Sequence, residues 1–187
     1  MAKKTKKVAK KAKKEQKLTA IQANRVAIAK DALAQLKIKA YDAVSSNGYV
    51  CLYDENSLSA AAESCELFTG KTADKTEFNK FMDNFISPSK PCTICAKGAI
   101  FLSAVKKFNN FSLQRAVDED LNDIASSEVQ KIFGMQNADK IEEYFECQDE
   151  YNDEGDKWSD KYDDDNERLE AILKNIIANK GDFIPVM

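Results

Sequence analysis

Apolar side chains recur every three or four residues through much of this chain, the spacing that lines one side of an α-helix. The longest such stretch runs from about Leu18 to Ser45. Leu18, Ile21, Ile28, Ala29, Ala32, Leu33, Leu36, Ala40 and Ala43 share a face there, interrupted by Gln22, Arg25 and Lys39. Ser45-Ser46-Asn47-Gly48 is expected to end it, with Gly48 suited to a left-handed C′ position. Tyr49-Val50-Cys51-Leu52-Tyr53, short and rich in β-formers, is the one segment that reads as a strand or half of a hairpin. Two shorter helices follow, about 57–68 and 73–85, and Ser87-Pro88-Ser89-Lys90-Pro91 breaks the chain.

Pro91 suits the first position of the next helix, to about Phe108. This segment is apolar on most sides: Ile94, Phe101, Leu102, Val105 and Phe108 on one, and Cys92, Cys95, Ala96, Ala99 and Ser103 on another. Such a helix belongs in the middle of a fold. Beyond it, Ser112 caps a helix to about Ile124, Ser126 or Ser127 one ending at Gly134, and Asn137 one reaching about Cys147. Residues 148–166 read as an acidic loop. The last helix is carried by Leu169, Ile172, Leu173, Ile176 and Ile177, with Asp163, Asp164 and Asp165 at its start and Gly181 at its end. It is expected to pack on the central helix, with Phe183-Ile184-Pro185 folding back as an apolar tail.

Only six glycines and three prolines occur in 187 residues, too few for a barrel or sandwich. The expected fold is therefore all-α, or mainly α: a single helical domain over 18–187, preceded by a tail over 1–17. Charge sharpens that division. Residues 1–17 hold nine lysines against Glu15, and residues 139–170 hold fifteen acids against four bases, while the region between is close to neutral. Self-repulsion should keep the tail disordered and extended until something anionic neutralises it. No apolar run follows the first lysines and none approaches a membrane span, so a soluble, cytoplasmic protein with no membrane partner is expected. Five cysteines are most simply reduced thiols in that compartment.

Histidine is absent. The commonest general base and the Ser–His and Cys–His nucleophile pairs are missing with it, and there is no P-loop or dinucleotide fingerprint. No enzyme activity is expected. Cys92-Thr93-Ile94-Cys95 can be joined with Cys51 and Cys65 into a four-thiolate zinc site. Thirteen residues separate Cys51 from Cys65, unlike the paired spacing of a zinc ribbon. A redox reading of the same motif lacks the βαβ context it needs, and close helix packing is the plainer role. An EF-hand placed on Gly155 fails because its twelfth position falls on Lys161. A looser divalent site among Asp160, Asp163, Asp164 and Asp165 competes with a solvated acidic face.

The strongest functional signal is the tail. Lys3, Lys4, Lys6, Lys7, Lys10, Lys11, Lys13, Lys14 and Lys17 alternate with small residues, a pattern like linker-histone and nucleoid-protein tails. Such lysines bind nucleic acid without sequence preference, each neutralised phosphate releasing a counterion. They serve an acidic protein partner equally well. The expected function is a non-enzymatic binding or accessory protein, with protein–protein assembly through the acidic stretch as the alternative and a thiolate-zinc protein as a further one.

Two stretches, Cys92-Thr93-Ile94-Cys95-Ala96-Lys97-Gly98-Ala99 and the run from Arg168 to Pro185, resemble segments of uncharacterised small helical proteins of tailed bacteriophages. The helix, glycine and Phe-x-Pro ending of the second are the more distinctive. The resemblance implies a phage accessory protein acting in the host-cell cytoplasm. It carries no activity and no functional residue with it, and it does not extend to the lysine tail or the acidic stretch.

Overall fold

The computed structural model describes residues 17–45, 50–52, 91–107, 121–146, 158, 160–162 and 164–185. Among these, five helices carry the fold: α1 (Ala20–Lys37), α2 (Ala96–Lys107), α3 (Leu121–Phe133), α4 (Met135–Glu146) and α5 (Asp165–Ala178). Three short strands, β1 (Tyr41–Ala43), β2 (Val50–Leu52) and β3 (Cys92–Ile94), form a small sheet in the order β1-β3-β2. β1 runs parallel to β3 and β2 antiparallel to it. The class is mainly α, as the periodicity predicts, and the expected strand at 49–53 is β2. The helices expected at 57–68 and 73–85 lie outside the described residues.

α1 is shorter than its apolar stripe predicts. It starts at a capping box, in which Gln22 N–H donates to Thr19 Oγ1 (3.2 Å) and Thr19 N–H to Gln22 Oε1 (3.0 Å). It ends in a Schellman turn: Ala40 N–H reaches Gln35 O, Lys39 N–H reaches Leu36 O, and Lys39 takes the left-handed C′ position at φ 60°. The chain then enters β1, where Tyr41 and Ala43 are buried on alternate positions. Ala40 and Ala43 are thus buried as their apolarity requires, but beyond the helix and at its turn and strand.

The segment after Pro91 also differs from expectation. It continues as β3, the central strand, before α2 begins. β-branched Thr93 and Ile94 pair with both neighbours, and Cys92 N–H donates to Ala40 O. α2 itself is central: Cys95 to Ala104 are buried at every position, including Lys97 and Ser103. It packs against α1, α3 and α4, whereas α5 packs chiefly on α1 and α4 and not on α2 as expected. Ser126 and Ser127 sit inside α3 and cap nothing. Asn137 lies within α4, where its Oδ1 accepts the N–H of Phe183 and holds the C-terminal tail.

α5 starts where the aspartates predict. Asp164 is the N-cap, accepting from Glu167 N–H at 2.8 Å. Its next two residues cover the sheet edge: Asn166 Oδ1 accepts from Ala43 N–H (2.9 Å) and Asp165 Oδ2 from Ser45 N–H (2.7 Å). These two bonds occupy amides that the edge would otherwise offer to a further strand. One continuous core joins α1, β1, β3, α2, α3, α4 and α5 with Trp158 and Phe183. No helix among the described residues is long and apolar enough to cross a membrane.

Candidate functional site

The expected site residues fall into two groups. Lys3, Lys4, Lys6, Lys7, Lys10, Lys11, Lys13 and Lys14 lie outside the described residues. Lys17 is described, and Lys17, Leu18, Thr19 and Ala20 are all exposed. The point at which the lysine segment meets the folded body is therefore on the surface. Thr19 is extended there, at φ −67° and ψ 163°, and its capping box begins α1 independently of what precedes it. The first turn of α1 carries no acid to neutralise a basic neighbour. Its unbonded amide groups add to the positive potential.

The cysteines are placed differently. Cys51 lies in β2 opposite Thr93, while Leu52 is the residue opposite Cys92. Cys65 is outside the described residues. Cys92 and Cys95 are buried thiols. Cys95 acts as the N-cap of α2: its carbonyl accepts from Ala99 N–H (2.9 Å) and its sulfur from Gly98 N–H (3.4 Å). Those amide bonds favour a thiolate, but burial outweighs them, and the nearby Glu146 and Glu142 act with it. The thiol is pushed up to about 12. Among the described residues no three Cys, Asp or Glu side chains are grouped to hold a metal ion.

A thiol held in this way should be inert. From an ordinary value of 9 to about 12, the thiolate fraction at pH 8 falls about a thousandfold. Peptide-resolved alkylation of the folded protein is expected to leave Cys95 unmodified at pH 8 and to label it fully in denaturant. Fast labelling of the native protein would show an accessible thiolate and revive the redox reading. The linkage has a definite sign: the unfolded thiol ionises near 9 while the folded one stays protonated. Its contribution to stability is complete below pH 9 and is lost as the pH rises toward 12.

Three further arrangements escape the sequence. Lys97, only 2% exposed, ion-pairs with Glu142 of α4, with Asp139 at 3.8 Å and Ser126 Oγ at 3.5 Å. Within an apolar helix nothing in the sequence distinguishes a buried lysine from one on a wet face. Trp158, from the acidic stretch, packs edge-on against Tyr144 and Phe183 at 5.7 and 5.8 Å and against Tyr162 at 4.7 Å. A lone tryptophan amid aspartates was the available signal for that anchor. Lastly, a cleft of about 520 Å³ opens between the end of α1, β1, Pro91 and the start of α5. Its polar groups are largely committed to the fold: Asp42 accepts from Asn166, Asp164 caps α5, and Glu170 pairs with Lys174.

No protein-family model, no curated protein and no solved structure matches this chain.

Proposed function

We propose that this is a non-enzymatic binding protein that holds nucleic acid through a lysine arm, Lys3 to Lys17, carried on a helical body. The observation that supports it most directly is the junction. The arm meets the body at exposed residues, and the Thr19 capping box starts α1 without needing anything upstream. Nine lysines against one acid make the arm a polycation whose affinity for phosphates is dominated by counterion release. The resemblance of 92–99 and 168–185 to small helical phage proteins supports an accessory role in the host-cell cytoplasm.

The junction also supplies a clean test. A protein starting at Leu18 keeps the Thr19 cap and the whole core, so it should fold normally. Duplex DNA binding by the full chain is expected to weaken steeply with salt, the slope approaching about −0.9 for each phosphate neutralised. The protein beginning at Leu18 should bind at least about tenfold more weakly at low salt. Equal binding by both would end the arm reading, and so would absence of binding by the full chain.

A second reading, assembly through the acidic stretch, is favoured by one arrangement. Trp158 is buried and Tyr162 packs on it, which fixes part of that stretch to the core while Asp160, Asp164 and Glu167 stay exposed. It predicts a defined oligomer or a basic protein partner that survives removal of the arm.

A further inference from the structure

The segment that follows α5 lies on the body as a bound peptide would. From Asp182 to Pro185 the chain forms neither helix nor strand. Phe183 is buried, edge-on to Tyr144 at 5.5 Å and to Trp158 at 5.8 Å. Its N–H donates to Asn137 Oδ1 of α4 (3.0 Å). Asn175 of α5 takes both backbone groups of the next residue: Nδ2 donates to Ile184 O (2.7 Å) and Oδ1 accepts from Ile184 N–H (2.8 Å). Asp182, the one charged residue of the segment, meets Arg25 of α1. A ring in a pocket, backbone groups held by side chains and a complementary charge are the elements by which proteins recognise peptides. None of them depends on the covalent link to α5.

The link itself is short and strained. Lys180 is left-handed at φ 59°, which costs a residue with a Cβ, and Gly181 follows at φ 99°. Gly181 crosses α1 so closely that a Cβ there would lie 2.8 Å from Arg25 Cβ. Straightening the link relieves Lys180 and gives up two turn bonds, Gly181 N–H to Ile176 O and Asp182 N–H to Asn179 O. The surroundings are apolar as well. Of the five large hydrophobic side chains exposed among the described residues, Ile38 ends α1. The other four, Leu18, Ile21, Met135 and Ile184, belong to the starts of α1 and α4 and to the segment itself.

We propose that this seat is a self-recognition site: two copies of the chain exchange residues 182–185, and Phe183 of each fills the pocket beside Tyr144 and Trp158 of the other. A second copy fits because it brings the same carboxylate to Arg25 and the same ring to the pocket. Exchange keeps every contact of the seat, so the link and the newly covered surface decide the balance. From Lys180 to Phe183 the reach is about 10 Å, at ~3.3 Å per residue, so the two bodies must meet at this end. Leu18, Ile21 and Met135 are the exposed apolar side chains on hand to be covered there. The proposal stands apart from the arm reading and needs no nucleic acid.

The test uses the full chain in about 0.3 M salt, which screens the lysine-rich segment. Sedimentation between about 10 μM and 1 mM should show a monomer–dimer equilibrium. An equimolar mixture of ¹³C-labelled and unlabelled chains is then held at the upper concentration. It should give intermolecular nuclear Overhauser contacts from Phe183 of one copy to Tyr144 and Trp158 of the other. Lys180→Gly removes the left-handed penalty and favours the closed monomer, so it should weaken the dimer at least about fivefold. A chain still monomeric at about 1 mM would overturn the proposal. So would a dimer whose Phe183 contacts all remain within one chain, which is an assembly through another surface such as the acidic stretch.

Discussion

Gly181→Val is expected to cost about 3 kcal/mol, a large share of the stability of a domain this size. Gly181 lies just beyond α5 at φ +99°, and its N–H donates to Ile176 O. A Cβ built there would sit 2.8 Å from Arg25 Cβ and 3.1 Å from the carbonyl oxygen of Gln22. Neither neighbour is the free end of a side chain, so relief requires the C-terminal turn to lift off α1. With it would go the joint around Arg25, whose guanidinium donates to Ile132 O and Asp182 and lies 5.5 Å from the centre of the Phe133 ring. Left-handed strain on a β-branched residue adds to the clash. Gly134, between α3 and α4, is the control. It also has positive φ, but a Cβ there would meet nothing within 4 Å. Gly134→Ala should lose only about 1 kcal/mol. The chain has a single tryptophan, Trp158, and it is buried, so its fluorescence reports unfolding of both variants in urea. Equal losses at the two glycines would refute the close-approach argument.

The second large effect is at the buried ion pair. Glu142→Ala is expected to cost about 3 kcal/mol, because it strips Lys97 of its nearest carboxylate while leaving the ammonium 2% exposed. Asp139 lies farther away, at 3.8 Å, and is itself half exposed, so it offers a weaker counter-charge. Lys97→Met removes the buried charge together with its need for a partner. That change should cost about 1 kcal/mol or less, and could stabilise. The double variant should then recover most of the Glu142→Ala loss, a strong non-additivity. Because the lysine is shielded from solvent, the loss should depend little on salt. A Glu142→Ala penalty under about 0.5 kcal/mol would place the pair among ordinary surface bridges.

Much of this fold is written in local pattern. The apolar spacing of Leu169, Ile172, Leu173 and Ile176 defines α5, and all four are buried as read. The burial of α2 follows from a segment with almost no polar side, and Gly134 closes α3 as its type suggests. Boundaries fared worse where two periods fit one stretch. Residues 40–43 satisfy a helical stripe and a buried strand equally, and the decision rested on a pairing with Cys92–Ile94, about fifty residues away. Pro91 opens a helix as readily as it precedes a strand, and the same distant pairing settled that choice. Lys39 takes the left-handed turn usually given to glycine, so the end of α1 was not marked by the expected residue type, whereas Gly181 does follow α5, one residue after the left-handed Lys180.

The candidate site divides along the same line. The proposed lysine arm is read from charge alone, a property of consecutive residues that needs no partner. Lys97, Arg25 and Trp158 were not legible in that way, because each acquires its meaning from elements distant in the chain: α4 for the lysine, the C-terminal turn for the arginine, Tyr144 and Phe183 for the tryptophan. By itself the sequence determined the helical class, the central place of α2 and the register of α5, since each follows from periodicity along a continuous segment. Only the tertiary structure decided the sheet, the seating of α5 on α1 and the burial of Lys97. Strand pairing, helix docking and desolvation all depend on which distant surfaces meet, and a local pattern carries no information about its partner.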